Sequence, residues 1–244
     1  LNIKKNKVII FDKKKFKFFY QNIRNEHDLN TYRQIFIKQE YSFNKNVNKK
    51  IINKYKSLIS SNKKPLIIDC GANIGASTNY LNIIFPKSKI IAIEPDKKNT
   101  ELFKKNKLSG NIYLYEKALS SEKIFYDIQR PKNYDWRSST IKKINKNYIN
   151  ENTNISITVK EIFEKFNVNE FTPFLIKIDI EGHEKELFKK NIEWVKEFNF
   201  LIIELHDWLI PNKNISLNFN EVISLIDNET FTFGENTVVI NKSK

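Results

Sequence analysis

The sequence of 244 residues contains one cysteine, no methionine and no long apolar run. The lone Cys70 excludes an internal disulfide, and its place at the end of an apolar stretch indicates a small core residue. No stretch approaches the ~18 apolar residues of a membrane span, and Leu1–Lys17 alternates short apolar runs with lysines, unlike a signal peptide. We therefore expect a soluble, cytoplasmic protein. Because the chain starts with leucine and lacks methionine, we also expect it to be a piece of a longer polypeptide.

Basic residues are in excess and give a formal net charge of +14. The lysines are dispersed among asparagines and isoleucines, in pairs such as Lys49-Lys50 and Lys104-Lys105, which is typical of solvated faces. We interpret the charge mainly as a compositional bias. Attraction to an acidic partner, whether a nucleic acid, a phosphorylated saccharide or an anionic membrane surface, stays open.

The order of the apolar segments predicts an α/β fold in a single structural unit. Residues 61–244 alternate strands and helices, which predicts right-handed crossovers and a mostly parallel, doubly wound sheet. Residues 1–60 are expected to pack on this core, and residues 120–160 interrupt the alternation with an extra strand, Ile124–Gln129, and a long loop. The other predicted strands include Val8–Phe11, Phe16–Tyr20, Lys89–Glu94, Ile112–Glu116, Ile155–Val159, Phe174–Ile180 and Phe198–Leu205, and the predicted helices include Val47–Ser60, Gly75–Phe85, Lys97–Leu108, Lys160–Phe166, Glu184–Asn191 and Phe219–Ile226.

Two segments indicate a cofactor site. Leu66–Gly75 is an apolar run that closes on an acid and a glycine, as a buried parallel strand does when it enters a tight turn. Ile91–Asp96 is a second apolar run, and its Glu94 is placed to accept hydrogen bonds from both hydroxyls of a ribose. Together they predict a nucleoside cofactor at the carboxyl ends of two adjacent strands.

A missing glycine distinguishes between cofactors. A dinucleotide fingerprint needs glycine at the first, third and sixth positions of the turn, and these positions are Gly71, Asn73 and Ala76 here. Asn73 would crowd a pyrophosphate, whereas Gly75 stands where that fingerprint needs no glycine. The turn therefore favours S-adenosylmethionine, which has no phosphate and whose methionine arm would lie over it, over NAD or no ligand.

Four ionisable residues are expected at the same edge of the sheet. Asp179 and Glu181 stand two apart near the end of one predicted strand and would share a face, and Glu204 and His206 stand two apart at the end of the next. Burying such groups unpaired is costly, so their convergence indicates function. The structural alternative is a helix N-terminus stabilised by Glu181 and Glu184.

Methyl transfer from a sulfonium is an in-line displacement that needs the acceptor oxygen, the methyl carbon and the sulfur aligned. An alcohol acceptor must also lose a proton, either to a base or with the help of a metal that lowers its pKa. His206 is the expected base and Asp179 the alternative. Asp179, Glu181 and Glu204 could instead hold Mg²⁺, although we do not expect an obligatory metal.

These segments together resemble the FkbM family of S-adenosylmethionine-dependent methyltransferases, over roughly Thr31–Asp207. The resemblance implies a class I, Rossmann-like methyltransferase fold, with a seven-stranded sheet whose last strand is antiparallel, and O-methylation of hydroxyls on sugars or polyketide-like products. The motifs that carry it are Gln34-Ile35-Phe36, Glu40-Tyr41, Ile68–Gly75, Phe85-Pro86, Ile93–Asp96, Lys117–Ser120, Lys177–Glu184 and Ile203–His206.

The resemblance also implies roles for residues of this sequence. Asp69–Gly75 would line the methionine arm, Glu94 would hold the ribose, and Lys117-Ala118 would lie by the adenine. Gln34 and Glu40, with the neighbouring tyrosine, would help to close the pocket. The residues expected to bind the cofactor are Tyr41, Asp69, Gly71, Asn73, Gly75, Ser77, Glu94, Pro95, Lys117, Ala118 and Asp179.

The acceptor is expected to bind at the loop Asn133–Thr140. An aromatic face there could stack on sugar C–H groups, and an arginine could bind a phosphate or carboxylate. His183 stands where the family often has a small residue and receives no catalytic role. The expected acceptor residues are Trp136, Arg137, Ser138 and Ser139, with Arg130 and Trp208 as further candidates.

We expect an O-methyltransferase that acts on a sugar hydroxyl in a glycan or glycoconjugate before export. A nucleic-acid methyltransferase is the first alternative, but Asp179–Gly182 lacks the acid/Asn-Pro-Pro-aromatic turn common in enzymes that methylate base nitrogens. A binding module without catalysis is the second, and the intact acids Asp69 and Glu94 argue against it.

Overall fold

The computed structural model describes residues 2–3, 6–12, 17–129, 140–145, 147, 149, 153–166, 170–207 and 214–244. Its strands are β1 Asn2–Ile3, β2 Lys7–Asp12, β3 Lys17–Asn22, β4 Lys64–Cys70, β5 Lys89–Ile93, β6 Asn111–Tyr115, β7 Phe125–Gln129, β8 Thr140–Lys143, β9 Asn154–Ile155, β10 Phe171–Ile178, β11 Phe200–Glu204, β12 Asn228–Phe233 and β13 Asn236–Asn241. Its α-helices are α1 Glu26–Phe36, α2 Lys45–Ser60, α3 Ala76–Ile84, α4 Lys97–Lys105, α5 Val159–Lys165, α6 Glu184–Leu187 and α7 Ile215–Ile223, and Glu193–Glu197 forms a 3-10 helix.

The central sheet has seven strands in the order β12-β13-β11-β10-β4-β5-β6. The strands from β11 to β6 are parallel, whereas β13 runs antiparallel to β11 and pairs with β12 as a hairpin. Parallel strands need crossover helices on the faces of the sheet, and this chain supplies them. The structure therefore confirms the predicted class I methyltransferase fold and its antiparallel last strand.

The sheet separates two hydrophobic cores, because successive side chains of each strand point to opposite faces. Ile67 of β4 packs on one side with the N-terminal helices, including Leu29 of α1 and Val47 of α2. Ile68 packs on the other side with α5 and α7, including Phe219. Burial on both faces explains why the central strands are continuous apolar runs in the sequence.

The N-terminal residues add an antiparallel three-stranded sheet, β1-β2-β3, ahead of α1 and α2. Asparagine side chains set where both helices begin: Asn25 accepts from the amide of Asp28, and Asn44 accepts from the amide of Val47. Helix α2 therefore begins at Lys45. The apolar periodicity alone had predicted its start at Val47.

The segment between β6 and β10 differs from its prediction in two places. The extra strand exists as β7, but it pairs with both β8, which was not predicted, and β9. The strand predicted at Ile155–Val159 exists only in part, as β9 and a bridge from Ile157 to Leu119. Its end is wrong, because Thr158 forms a capping box with Glu161 and starts α5 at Val159. A threonine followed three residues later by a glutamate is the sequence pattern of a capping box and indicates this helix start.

Three further helices differ from their predicted bounds by more than one residue. The helix predicted at Glu184–Asn191 begins at Glu184, but its length is wrong, since α6 spans four residues and Asn191 has a φ of 54° that no α-helix accommodates. The helix predicted from Lys97 ends at Lys105 rather than at Leu108. The last helix starts at Ile215 rather than Phe219, because the Asp207 carboxylate accepts a hydrogen bond from an amide of its first turn.

No helix in the described part of the chain combines the length and the apolar character that crossing a bilayer requires.

Candidate active site

The turn after β4 presses directly against the end of β10. Gly71 has a φ of +77°, and a Cβ at this position would overlap the carbonyl oxygen of Asp179. Only glycine combines this backbone conformation with such a close approach. The amides of Gly71 and Ala72 donate to the carbonyl of Ile93, 2.9 and 3.0 Å away, which fixes the turn to β5 as well. Three strand ends therefore meet at Gly71.

Asp69 lies beneath this turn rather than facing the cavity. Its carboxylate is fully buried, and its Oδ2 accepts hydrogen bonds from Ser77 Oγ at 2.8 Å and Thr78 Oγ1 at 2.6 Å. Its Oδ1 lies 3.4 Å from the ammonium of Lys177. Asp69 thus anchors the first turn of α3 to the strand, and the residues that follow it face the cavity.

Glu94 stands at the end of β5, where the sequence placed it. Its carboxylate accepts hydrogen bonds from the amide of Asn73 at 2.9 Å, the amide of Asp96 at 3.0 Å and the side chain of Asn99 at 3.2 Å. Burial raises the pKa of Glu94 to about 7, against the opposing effect of these hydrogen bonds. Near neutral pH, a further hydrogen-bond donor to Glu94 would therefore favour its charged form.

One cavity of about 390 Å³ connects these groups to the ends of β10 and β11. Eleven of the residues singled out from the sequence line it: Tyr41, Gly71, Asn73, Ser77, Glu94, Pro95, Ala118, Asp179, Glu181, Glu204 and His206. Asp69, Gly75 and Lys117 do not line it, although Gly75 directly precedes α3. Gln34 and Glu40 also line the wall, so the N-terminal helices contribute to this cavity.

The ionisable cluster converges as predicted, but not for the predicted reason. Asp179 and Glu181 follow β10, which ends at Ile178, so they do not share a strand face. Instead, Glu181 has a φ of 55°, and this turn brings both carboxylates within 3.7 Å of His206 Nε2. Glu204 Oε1 lies 3.4 Å from the same nitrogen.

His206 is held from behind by a carboxylate that sequence reasoning treated as a helix-terminus residue. Its Nδ1 lies 2.9 Å from Glu184 Oε1, and both side chains are almost fully buried. Burial lowers the pKa of His206, but the hydrogen bond and charge of Glu184, with the charges of Asp179 and Glu181, raise it to about 9. The imidazole is therefore protonated at neutral pH, which does not suit the expected role of His206 as the base.

Two glutamates, Glu204 and Glu235, also line this side of the cavity. Burial, together with the charge of Asp179, raises the pKa of Glu204 to about 8. Glu235, from the turn between β12 and β13, groups with Glu40 and Glu204. Sequence reasoning missed Glu235, because a glutamate in a hairpin turn carries no local signal of reaching a cavity.

His183 also lines the cavity, although no catalytic role was expected for it. Its Nε2 lies 3.2 Å from Ser120 Oγ, and burial lowers its pKa to about 4, so the ring is neutral at physiological pH. Hydrogen bonding to serine and packing account for this position without a catalytic role.

The described residues offer two groups whose donor atoms lie close enough to share a metal ion. One comprises Asp179, Glu181 and His206, and the other comprises Glu40, Glu204 and Glu235. The sequence had grouped Glu204 with the first pair, but the structure puts His206 there.

The residues expected to bind the acceptor fall on a part of the chain that the structure does not describe. Trp136, Arg137, Ser138 and Ser139 lie outside the described residues, as do Arg130 and Trp208. Ile141 of β8, just after that segment, does line the cavity.

Several solved structures share the fold at low identity. The O-methyltransferase TomG from Streptomyces achromogenes is 10% identical over 89% of this chain and 90% of its own, with a TM-score of 0.44. A fibrillarin pre-rRNA processing protein from Methanococcus jannaschii is 12% identical over 75% of this chain and 68% of its own, with a TM-score of 0.41. The bifunctional kinase-methyltransferase WbdD is 11% identical over 82% of this chain and 40% of its own, with a TM-score of 0.42. A likeness at these values carries no conclusion about this chain.

No curated protein sequence compared with this chain matches it. A family model described as the methyltransferase FkbM domain does match, over residues 69–233, which is more than half of the chain. The match begins at the acid beneath the first turn and includes Glu94 and the ionisable cluster. The chain therefore belongs to the FkbM methyltransferase family.

Proposed function

We propose that this methyltransferase uses S-adenosylmethionine to methylate a hydroxyl oxygen of a sugar in a glycan or glycoconjugate. The observation that carries the proposal is the continuous cavity that joins Gly71 and Glu94 to Asp179 and Glu204. We call the first pair, with Asn73, the cofactor side, and the second pair, with Glu181 and His206, the acceptor side. A cofactor on one side would present its methyl group to a hydroxyl on the other.

The cofactor side suits a nucleoside without phosphates. Glu94 accepts three hydrogen bonds and retains acceptor capacity for ribose hydroxyls. Asn73 occupies the position where a pyrophosphate would need glycine. Tyr41 and Ala118 line the same cavity and provide surfaces for the rest of the cofactor.

The acceptor side suits a hydroxyl that must lose a proton. As the acceptor oxygen bonds to the methyl carbon, the carbon–sulfur bond breaks and its electron pair returns to sulfur, leaving S-adenosylhomocysteine. We assign the released proton to Asp179, because His206 already carries a proton at neutral pH. His206 then acts as a cation that holds the carboxylate of Asp179 in place, with its Nε2 3.7 Å from Asp179 Oδ1.

The charge of the cavity favours a sugar over a nucleic acid. Six carboxylates line it, against one lysine among the described residues. Acidic side chains offer a phosphate no cation to bind, whereas a carboxyl group hydrogen-bonds sugar hydroxyls whether or not it is protonated. The net charge of +14 belongs to the whole chain and not to this cavity. The carboxylates lining the cavity are Glu40, Glu94, Asp179, Glu181, Glu204 and Glu235.

A divalent ion is the alternative to a protein base. The set of Asp179, Glu181 and His206 includes an imidazole, a ligand that Mg²⁺ uses rarely. Mg²⁺ with Asp179, Glu181 and Glu204 stays the less favoured version of the proposal. The activity is proposed for the cytoplasm, within a longer glycan-assembly polypeptide.

The test is transfer of labelled methyl from S-adenosylmethionine into glycan and RNA fractions of the source cell, with and without a chelator. Calorimetry with S-adenosylhomocysteine, on the same protein, measures cofactor binding separately. The Asp127→Asn variant serves as a control, because that carboxylate lies exposed on β7, away from the cavity.

Label in the glycan fraction that persists with chelator supports the proposal in full. Loss of that label with chelator would indicate that a metal ion, and not Asp179 as a base, assists the loss of the acceptor's proton. Label in RNA alone would overturn the sugar acceptor, and binding of S-adenosylhomocysteine without transfer to either fraction would point to a binding module.

A further inference from the structure

A lysine lies buried between the two sides of the cavity. Lys177 belongs to β10, directly opposite Asp69 of β4 in the strand register, and only 2% of it is exposed. A charge so deeply buried is stable only when it is paired and hydrogen-bonded. Sequence reasoning quoted Lys177 as part of a motif but assigned it no role, since lysines usually lie on solvated faces.

The ammonium of Lys177 is surrounded by acceptors from both strand ends. Nζ donates to the carbonyl of Gly71 at 2.9 Å and to that of Cys70 at 3.4 Å. It also lies 3.2 Å from Asp179 Oδ2 and 3.4 Å from Asp69 Oδ1. The ammonium group thus hydrogen-bonds two backbone carbonyls and lies within ion-pair distance of two carboxylates. Lys177 is therefore suited to hold other protein groups rather than a ligand.

Asp179 is the group that transmits this arrangement to the acceptor side. Its Oδ2 faces Lys177, while its Oδ1 lies 3.7 Å from His206 Nε2. The two cations thus fix the plane of the carboxylate from opposite ends. Burial and the charge of Asp179 raise the pKa of both Glu40 and Glu204, so negative charge is unfavourable in this region unless a cation such as Lys177 offsets it.

We propose that Lys177 is a positioning residue for methyl transfer, which acts by holding Asp179 toward the acceptor and the Gly71 carbonyl beneath the cofactor. This inference rests on the proposed function, in which Asp179 takes the acceptor's proton. Lys177 is not itself a catalytic residue, because its donors are engaged by the protein. It couples the two sides of the cavity through one buried charge.

The test is a double-mutant cycle between Lys177→Met and Asp179→Asn, with labelled methyl transfer into the glycan fraction as the readout. Lys64→Met is the matched control, because Lys64 is also a strand lysine in an ion pair, with exposed Glu170 at the far end of β4. Rates are measured with saturating S-adenosylmethionine, below the unfolding temperature of every variant, and S-adenosylhomocysteine affinity is measured by calorimetry.

We expect Lys177→Met to slow transfer about tenfold or more, with a smaller loss of S-adenosylhomocysteine affinity. In the Asp179→Asn background the same change should slow transfer little further, because Lys177 acts through Asp179. Lys64→Met should transfer at the wild-type rate. Lys177→Arg should recover part of the lost rate, since it restores the cation.

Additive effects in the cycle, or a Lys177→Met rate equal to that of Lys64→Met, would overturn the proposal and leave Lys177 a structural residue. If Lys177→Met does not fold, the Lys177→Met/Asp69→Asn variant replaces it, since that variant removes one buried acid together with the cation. Failure of the proposed function is distinct, because the wild-type protein itself would then transfer no label into the glycan fraction.

Discussion

The two sides of the cavity stabilise their acidic side chains in different ways. On the cofactor side, Glu94 accepts from two backbone amides and one amide side chain, all within one short stretch of chain or its neighbouring turn. On the acceptor side, Asp179, Glu181 and Glu204 share one imidazolium at 3.4 to 3.7 Å. Neutral donors that are fixed by the backbone make a preorganised site. On the acceptor side, the position of Asp179 instead depends on two buried cations, His206 and Lys177.

The largest effect is expected where the two sides touch. Gly71→Ala should lower the free energy of unfolding by about 3–5 kcal/mol, because the new methyl overlaps the Asp179 carbonyl and the backbone has a φ of +77°. Gly234→Ala is the control, since it has a φ of +59° but nothing within 4 Å, and it should cost only about 1–2 kcal/mol. Urea unfolding of both variants measures the difference. Equal losses of unfolding free energy in the two variants would mean that the close contact between Gly71 and the Asp179 carbonyl does not limit the residue at this position.

A second change tests the acceptor side alone. Asp179→Asn should slow methyl transfer about a hundredfold or more, as loss of a proton acceptor does. Affinity for S-adenosylhomocysteine should fall far less, because the cofactor side keeps its own donors. Single-turnover labelling and calorimetry give the two numbers. If Asp179→Asn lowers S-adenosylhomocysteine affinity as much as the transfer rate, Asp179 also serves cofactor binding and the assignment to the acceptor side is wrong.

A third change tests the cofactor side alone. Glu94→Ala should weaken S-adenosylhomocysteine binding by about 1.5–3 kcal/mol, roughly 10- to 150-fold, because hydrogen bonds to a charged group are lost. Glu116→Ala is the control, since Glu116 follows the neighbouring strand β6 but bonds Thr100 and Lys104 at the surface. Unchanged affinity in calorimetry of Glu94→Ala would refute the placement of the ribose.

The smallest effect is a pH dependence that belongs to Glu94. Its pKa is raised to about 7 by burial, so the folded protein holds a proton that the unfolded chain releases near pH 4.5. The stability linked to this group is therefore full below pH 4.5 and is lost as pH rises through 7. Ribose hydroxyls would favour the ionised form, so S-adenosylhomocysteine should bind several-fold more tightly at about pH 8 than at about pH 6.

Calorimetry across that range, with Glu94→Gln as the reference, checks the dependence. The amide introduced by this substitution does not titrate, so the variant should bind with nearly constant affinity over the same range. A wild-type protein with the same flat profile would mean that Glu94 does not titrate on cofactor binding.

The sequence predicted the fold, and the meeting of Gly71 and Glu94 at one edge of the sheet, because these signals are local. Buried parallel strands such as β4 appear as apolar runs, and the acid and glycines at their ends stand next to one another in the chain. The structure confirms the sheet, and the family match confirms the resemblance. The convergence of Asp179 and His206 followed from the rule that parallel strands end at one edge.

The rest depended on contacts that no short stretch records. Lys177 becomes a buried counterion only because β4 brings Asp69 beside it. Glu235 reaches the cavity because the hairpin folds back along β11. Glu184, whose hydrogen bond and charge raise the pKa of His206 to about 9, is 22 residues away in the chain, so residue type alone could not indicate this shift. The roles of individual site residues stay predictions.

The hairpin turn that carries Glu235 has a consequence for how this family can diversify. Gly234 faces open space, and the neighbouring strands β12 and β13 are held by their own ladder. A substitution or short insertion in such a turn changes one wall of the cavity without disturbing the sheet that supports the other walls. Under the proposed function, mutation of a few exposed residues here would change acceptor preference, while the cofactor side stays under the constraint imposed by Gly71.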